Sequence, residues 1–107
     1  PLFTVCNYTF DDLDLDELLE HYPETDIEKL AKRHVLFNKS LAEEILNDFT
    51  TKRSTNLDLL VHCTLGARRS PAVAIALNEI FNLGQRGLKK QYPIYNHFVY
   101  RILKETI

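Results

Sequence analysis

The strongest constraint on the fold is a run of thirteen residues, Leu59-Leu60-Val61-His62-Cys63-Thr64-Leu65-Gly66-Ala67-Arg68-Arg69-Ser70-Pro71. It opens on consecutive apolar residues, the pattern of a strand buried on both faces. It turns through Gly66 and launches the apolar segment Pro71 to Leu83, which reads as a helix. A strand that feeds a tight loop and then a helix N-terminus makes a ready anion site. The loop amides converge, the first helical N–H groups have no intrahelical partner, and the helix dipole favours negative charge.

The chemistry carried by this run is specific. A thiol is a poor nucleophile until it loses its proton. Backbone N–H groups, a helix N-terminus and a guanidinium around Cys63 would all stabilise its thiolate. Arg69 can fork two N–H bonds onto two oxygens of a tetrahedral oxyanion, a geometry lysine does not reproduce. Ser70 can donate its hydroxyl proton to the cysteine sulfur. The run therefore offers a nucleophile and an oxyanion cradle around one small volume. The bland alternative is a buried strand cysteine followed by two surface arginines.

His62-Cys63, five residues, then Arg69-Ser70 resembles the phosphate-binding loop of the cysteine-dependent protein tyrosine phosphatases. Ser70-Pro71 and the alanine-rich helix after it look most like the dual-specificity branch and its small bacterial relatives. The resemblance implies Cys63 as nucleophile, Arg69 as phosphate clamp and Ser70 as the hydroxyl that assists breakdown of a phosphoenzyme. It implies that residues Thr64, Leu65, Gly66, Ala67, Arg68 and Arg69 wrap the phosphate, with His62 tuning the thiolate. Two positions depart from the family pattern: Leu65 stands for the usual alanine, and Arg68 for a small residue. A leucine can pack beneath the loop. An arginine at 68 either adds positive potential at the mouth or distorts the cradle.

Such a phosphatase needs a general acid that protonates the leaving oxygen and then deprotonates water. The window some thirty residues before the cysteine, where the dual-specificity branch keeps its aspartate, holds Lys32, Arg33 and His34. Phe10-Asp11-Asp12-Leu13 resembles instead the Phe-x-Asp-Ile/Leu segment that precedes the acid loop in the bacterial relatives. It makes Asp12, 51 residues before Cys63, the first candidate, and Asp11 the second. The excess separation is then an inserted helix. The competing reading is that Asp12 merely caps that helix.

Composition bounds the rest. A chain of 107 residues supports one domain, here read as residues 1–107. It is short for the family: either the sequence is minimal or an upstream part is absent. The 45% hydrophobic and 26% charged content fits a folded chain. No apolar run reaches the ~20 residues that span a bilayer, so no membrane partner is expected. With only Cys6 beside Cys63, neither a disulfide framework nor a metal set is expected. A cytoplasmic, reducing setting follows, although a protective Cys6–Cys63 disulfide is conceivable. Only Cys6 is available to serve sulfur transfer or arsenate reduction, which is a rival chemistry on similar loops.

The net charge of −2 is uneven. Residues 1–53 carry 12 acids and 6 bases, and residues 54–107 carry 3 acids and 7 bases. The half with the Cys63 loop is the positive one, which suits an anionic substrate. No basic stripe with interleaved aromatics points to nucleic acid. His21, His34 and His97 have no partners at ligand spacing, so neither a metal nor a cofactor is expected.

Along the chain, Leu2 to Phe10 reads as a strand from its β-branched and aromatic content. Leu13, Leu15, Leu18 and Leu19 mark a helix within Asp12–His21. Thr25 and Glu28 form a capping box for a helix to about His34, and Ser40 and Glu43 another for a helix to about Lys52. Gly84 is expected just past the helix Ala72–Leu83. Asn96 is expected to cap a helix His97–Glu105, with Phe98, Val99, Ile102 and Leu103 inward. The sum is an α/β fold, a central mostly parallel sheet flanked by helices, with the phosphate-binding loop between a buried strand and the central helix. The expected function is hydrolysis of phosphoric monoesters through a cysteinyl-phosphate, on a phosphorylated protein or another phosphomonoester. The alternative is a phosphate-binding interaction module without turnover.

Overall fold

The structure is a computed structural model that describes residues 6–52 and 68–107. Among these residues the regular structure is helical throughout: α1 (Leu15–His21), α2 (Ile27–Arg33), α3 (Lys39–Lys52), α4 (Arg69–Phe81), α5 (Leu88–Gln91) and α6 (His97–Glu105). This overturns the expected α/β class with its central parallel sheet. The strand expected over Leu59–Val61 lies outside the described residues. The other expected strand is described from Cys6 onward and takes no regular conformation up to Phe10.

The reason is visible in what that segment touches. Phe10 is buried and meets Phe37 edge to face, with ring centroids 4.7 Å apart. The Tyr8 hydroxyl donates to Asp48 on α3 at 2.6 Å. Burial and that hydrogen bond push the Tyr8 phenol far above its ordinary range. Aromatic and β-branched residues fit any half-buried surface, so their abundance reported burial against helices and not a ladder.

Helix termini follow local chemistry. Asp14 caps α1, accepting from Glu17 N at 3.0 Å. Asp26, and not Thr25, caps α2 and accepts from Lys29 N at 3.2 Å. Thr25 instead donates its hydroxyl to Tyr22 O. Asn38 precedes α3 and accepts from Leu41 N at 2.8 Å, two residues ahead of the expected Ser40 cap. Asn96 caps α6 over the expected span. At the end of α4 it is Asn82, with φ 52°, that takes the left-handed turn ahead of Gly84. An amide side chain tolerates that region better than most.

The core is assembled on α4 and α6. Helix α4 buries Pro71, Ala72, Val73, Ile75, Ala76 and Leu77. Helix α6 packs against α4, α3 and α1, and Phe98, Val99 and Leu103 are buried on it. Each fully buried side chain of this size contributes about 1.5–3 kcal/mol. Small residues at 72 and 76, both with no exposed surface, let a neighbouring helix approach α4 closely.

Outside the core, an ionic cluster ties α4 to α6 and α5. Glu79 accepts from Lys104 Nζ at 2.8 Å and from the Tyr100 hydroxyl at 2.6 Å, and Lys89 Nζ lies 3.4 Å from it. Burial alone would raise the Glu79 carboxyl. The hydrogen bonds from Lys104 and Tyr100 and the two ammonium charges outweigh it and hold the carboxyl below its ordinary value of 4.5. A lowered folded-state value means stability that is present above the unfolded value and lost as pH falls through the folded one. Glu79→Gln is therefore expected to lower Tm by roughly 2–5 °C at pH 6–7, since the pairs are partly exposed and screened. The gap between variant and parent should narrow as pH falls below the ordinary value of 4.5 and close below the folded-state value, in thermal unfolding followed by circular dichroism. A gap that stays constant down to pH 3 would show the cluster to be electrostatically silent.

No helix among the described residues is long and apolar enough to cross a membrane.

Candidate functional site around the start of helix α4

Arg69 opens α4, and Ser70 follows it within the first turn, buried. The other expected loop residues, His62, Cys63, Thr64, Leu65, Gly66 and Ala67, lie outside the described residues. What the structure places around the start of α4 is the segment from Phe10 to Asp14 and the turn before α6.

Arg69 Nη1 donates to Phe10 O at 2.9 Å. Asn96 N donates to Arg68 O at 3.0 Å. The Asn96 side chain works in two directions: its Oδ1 accepts from Val99 N at 3.1 Å, and its Nδ2 donates to Asp12 Oδ1 at 2.9 Å. Asn96 has no exposed surface. Asp12 itself is exposed apart from this anchor. Asp12 is thus not the cap of α1, the role that competed with general acid in its sequence, and its anchor Asn96 is bonded through its own N–H to the carbonyl of Arg68.

Asp11 has a different environment. Its Oδ2 accepts from Val35 N at 2.9 Å and lies 3.2 Å from His34 Nδ1. It serves to pin the segment after α2 against the segment before α1. Its Oδ2 is already engaged, whereas Asp12 has its Oδ1 fixed by Asn96.

Sequence reasoning missed Asp14. Its carboxylate is 4% exposed. Besides capping α1 it accepts from His97 N at 3.0 Å, so one carboxylate satisfies the first turns of α1 and α6 together. Arg68 Nη2 sits 3.4 Å from its Oδ2. The signal was present: Asp14 and Glu17 stand at capping-box spacing just before the apolar positions Leu15 and Leu18. It was hidden inside a run of nine acids between Asp11 and Glu28.

Arg68 does not extend into open solvent from the mouth of the site. Its Nε donates to Ile94 O at 3.0 Å, and its Nη2 reaches Glu17 Oε2 at 3.1 Å as well as Asp14. Cys6 is exposed, with Lys52 Nζ 3.4 Å from its sulfur. Among the described residues no group of three or more His, Cys, Asp or Glu could hold a metal ion.

The contacts link a helix start carrying one cationic side chain, Arg69, to a supported carboxylate, Asp12, through Asn96. That is the equipment to hold an oxyanion and to pass a proton to an atom bonded to it. No protein-family model matches the chain, and neither a curated protein nor a solved structure matches it.

Proposed function

We propose that the chain hydrolyses phosphoric monoesters through a cysteinyl-phosphate, as a phosphatase of the tyrosine or dual-specificity type. The observation that supports this reading is the chain of contacts from the start of α4 to Asp12: the Asn96 N–H is bonded to Arg68 O, and the buried Asn96 side chain holds Asp12. Asn96 thus joins the residue before Arg69 to the candidate acid, 84 positions away from it in sequence.

In the first step the Cys63 thiolate attacks phosphorus. The sulfur–phosphorus bond forms as the bond to the leaving oxygen breaks, and Asp12 gives its proton to that oxygen. Arg69 and the amides of residues 64–69 hold the three remaining oxygens. In the second step water attacks phosphorus, its proton passes to Asp12, and the sulfur–phosphorus bond breaks to return the thiolate, assisted by the Ser70 hydroxyl. Phosphate leaves and the acid is restored. The cycle calls for neither metal nor cofactor. A reactive thiolate survives longest in a reducing compartment, which favours the cytoplasm.

The test is hydrolysis of p-nitrophenyl phosphate across pH 5–8 by the unaltered chain and by Asp12→Asn. Turnover with a bell-shaped rate profile is expected, and Asp12→Asn should lower kcat roughly 10²-fold and flatten the limb that requires the protonated acid. Unchanged kcat in Asp12→Asn would move the acid elsewhere. No turnover in the unaltered chain, with vanadate still bound, would replace the enzyme with a phosphate-binding module.

A further inference from the structure

We propose that Arg68 is a positioning residue, which locks the Asp12 segment against the start of α4, and not a ligand of the phosphate. The inference rests on the phosphatase reading and changes the part that Arg68 plays in it. A guanidinium has five N–H donors in a planar fork. The structure directs that of Arg68 to Ile94 O, Glu17 and Asp14. These partners belong to α1, its cap and the turn before α6. The backbone of Arg68 completes the clamp, because its carbonyl accepts from Asn96 N. One residue therefore joins the cap of α4, the first turn of α1 and the turn that carries Asn96. Asn96 in turn fixes Asp12.

The placement explains an arginine where a small residue is usual. The side chain is 28% exposed and runs over two carboxylates, those of Asp14 and Glu17. A cation so placed is compensated, and its charge is directed to the protein's own acids. It would add little to the hold on a dianionic substrate. Its contribution would be to the geometry of the proton donor, where a shift of about 1 Å costs up to 10²-fold in rate.

The test uses two esters on the full chain. Phenyl phosphate has a poor leaving group that must be protonated as it departs. 2,4-Dinitrophenyl phosphate has a leaving group that departs as the anion. Arg68→Ala is expected to lower kcat/KM on phenyl phosphate, which reports the first step alone, roughly 10- to 100-fold, and to change kcat/KM on the dinitrophenyl ester less than about threefold. Arg68→Lys should recover part of the phenyl phosphate rate, since an ammonium can reach a carboxylate but not fork between three acceptors. The melting temperatures of Arg68→Ala, Asp14→Asn and the double variant complete the test. The double variant should lose less than the sum of the single losses, because the two side chains act through one contact. Equal loss on both esters with a raised KM would make Arg68 a phosphate ligand and overturn the proposal. Additive losses of Tm in an active protein would overturn the clamp. An unaltered chain that hydrolyses neither ester would overturn the phosphatase reading itself, whatever the melting temperatures show.

Discussion

Cys63→Ser is expected to reduce release of p-nitrophenol at pH 6 on the order of 10⁴-fold or more, equivalent to about 5 kcal/mol of lost transition-state stabilisation. The cause is electronic. A thiolate forms within reach of neutral pH when helix dipole and guanidinium favour it, whereas a serine hydroxyl stays protonated there. The substitution removes the thiolate's negative charge and leaves the cationic side of the cradle in place. Vanadate or phosphate should therefore still raise the melting temperature of the variant, as ligand that binds only the folded state must. Turnover retained in Cys63→Ser would end the cysteinyl-phosphate mechanism. Alkylation supplies a second arm: iodoacetate at pH 6 should modify Cys63 in the unaltered chain, and phosphate should protect it.

Asn96→Ala is expected to cost about 2–3 kcal/mol of folding stability, a fall in Tm on the order of 10 °C for a chain of this size. Two losses add. The cap of α6 disappears, which costs about 1 kcal/mol. A side chain with no exposed surface is also truncated, leaving a void and removing the donor to Asp12. Asn96→Ser separates these parts. A serine hydroxyl can still cap the helix but is too short to reach Asp12. Asn96→Ser should thus recover roughly half of the stability in urea unfolding, yet hydrolyse phenyl phosphate as slowly as Asn96→Ala does. Equal and small losses in both variants, below about 0.5 kcal/mol, would show that Asn96 is dispensable to the fold.

What could be read from the sequence differs between the two ends of that contact. Asn96 was recognisable as a cap because a short polar residue precedes the amphipathic residues Phe98, Val99, Ile102 and Leu103, and helix α6 occupies the span this implies. Caps are local, and local chemistry sufficed for them to within a residue or two. Asp26 displaced Thr25 because either side chain can accept from the first turn, and the choice depends on where the preceding turn leaves the backbone. The partnership of Asn96 with Asp12 was not legible. It joins positions 84 apart, and nothing in helical or strand periodicity encodes which loop lies across which helix start.

The fold class failed for a related reason. Tyr8 and Phe10 have the composition of a strand, but their burial is achieved against Phe37 and against α3 and its neighbours, with no adjoining strand among the described residues. Burial and pairing leave the same signature in a short apolar stretch. Arg68 shows the opposite limit. The arginine was plain in the sequence, but its destination depended on Asp14, Glu17 and Ile94 being brought to it by the fold.

The position of α6 has a consequence for the order in which the molecule acquires its structure during synthesis. Helices α1, α3 and α4 each turn an apolar face to α6, so none can complete its packing while residues 97–105 are still inside the ribosome. Until then those helices lack the partner that joins their packing, and Asp12 lacks its anchor. The support of Asp12 is completed only when α6 docks and Asn96 meets it. A chaperone that shields apolar helix faces would find its substrate in the nascent chain rather than in the finished protein.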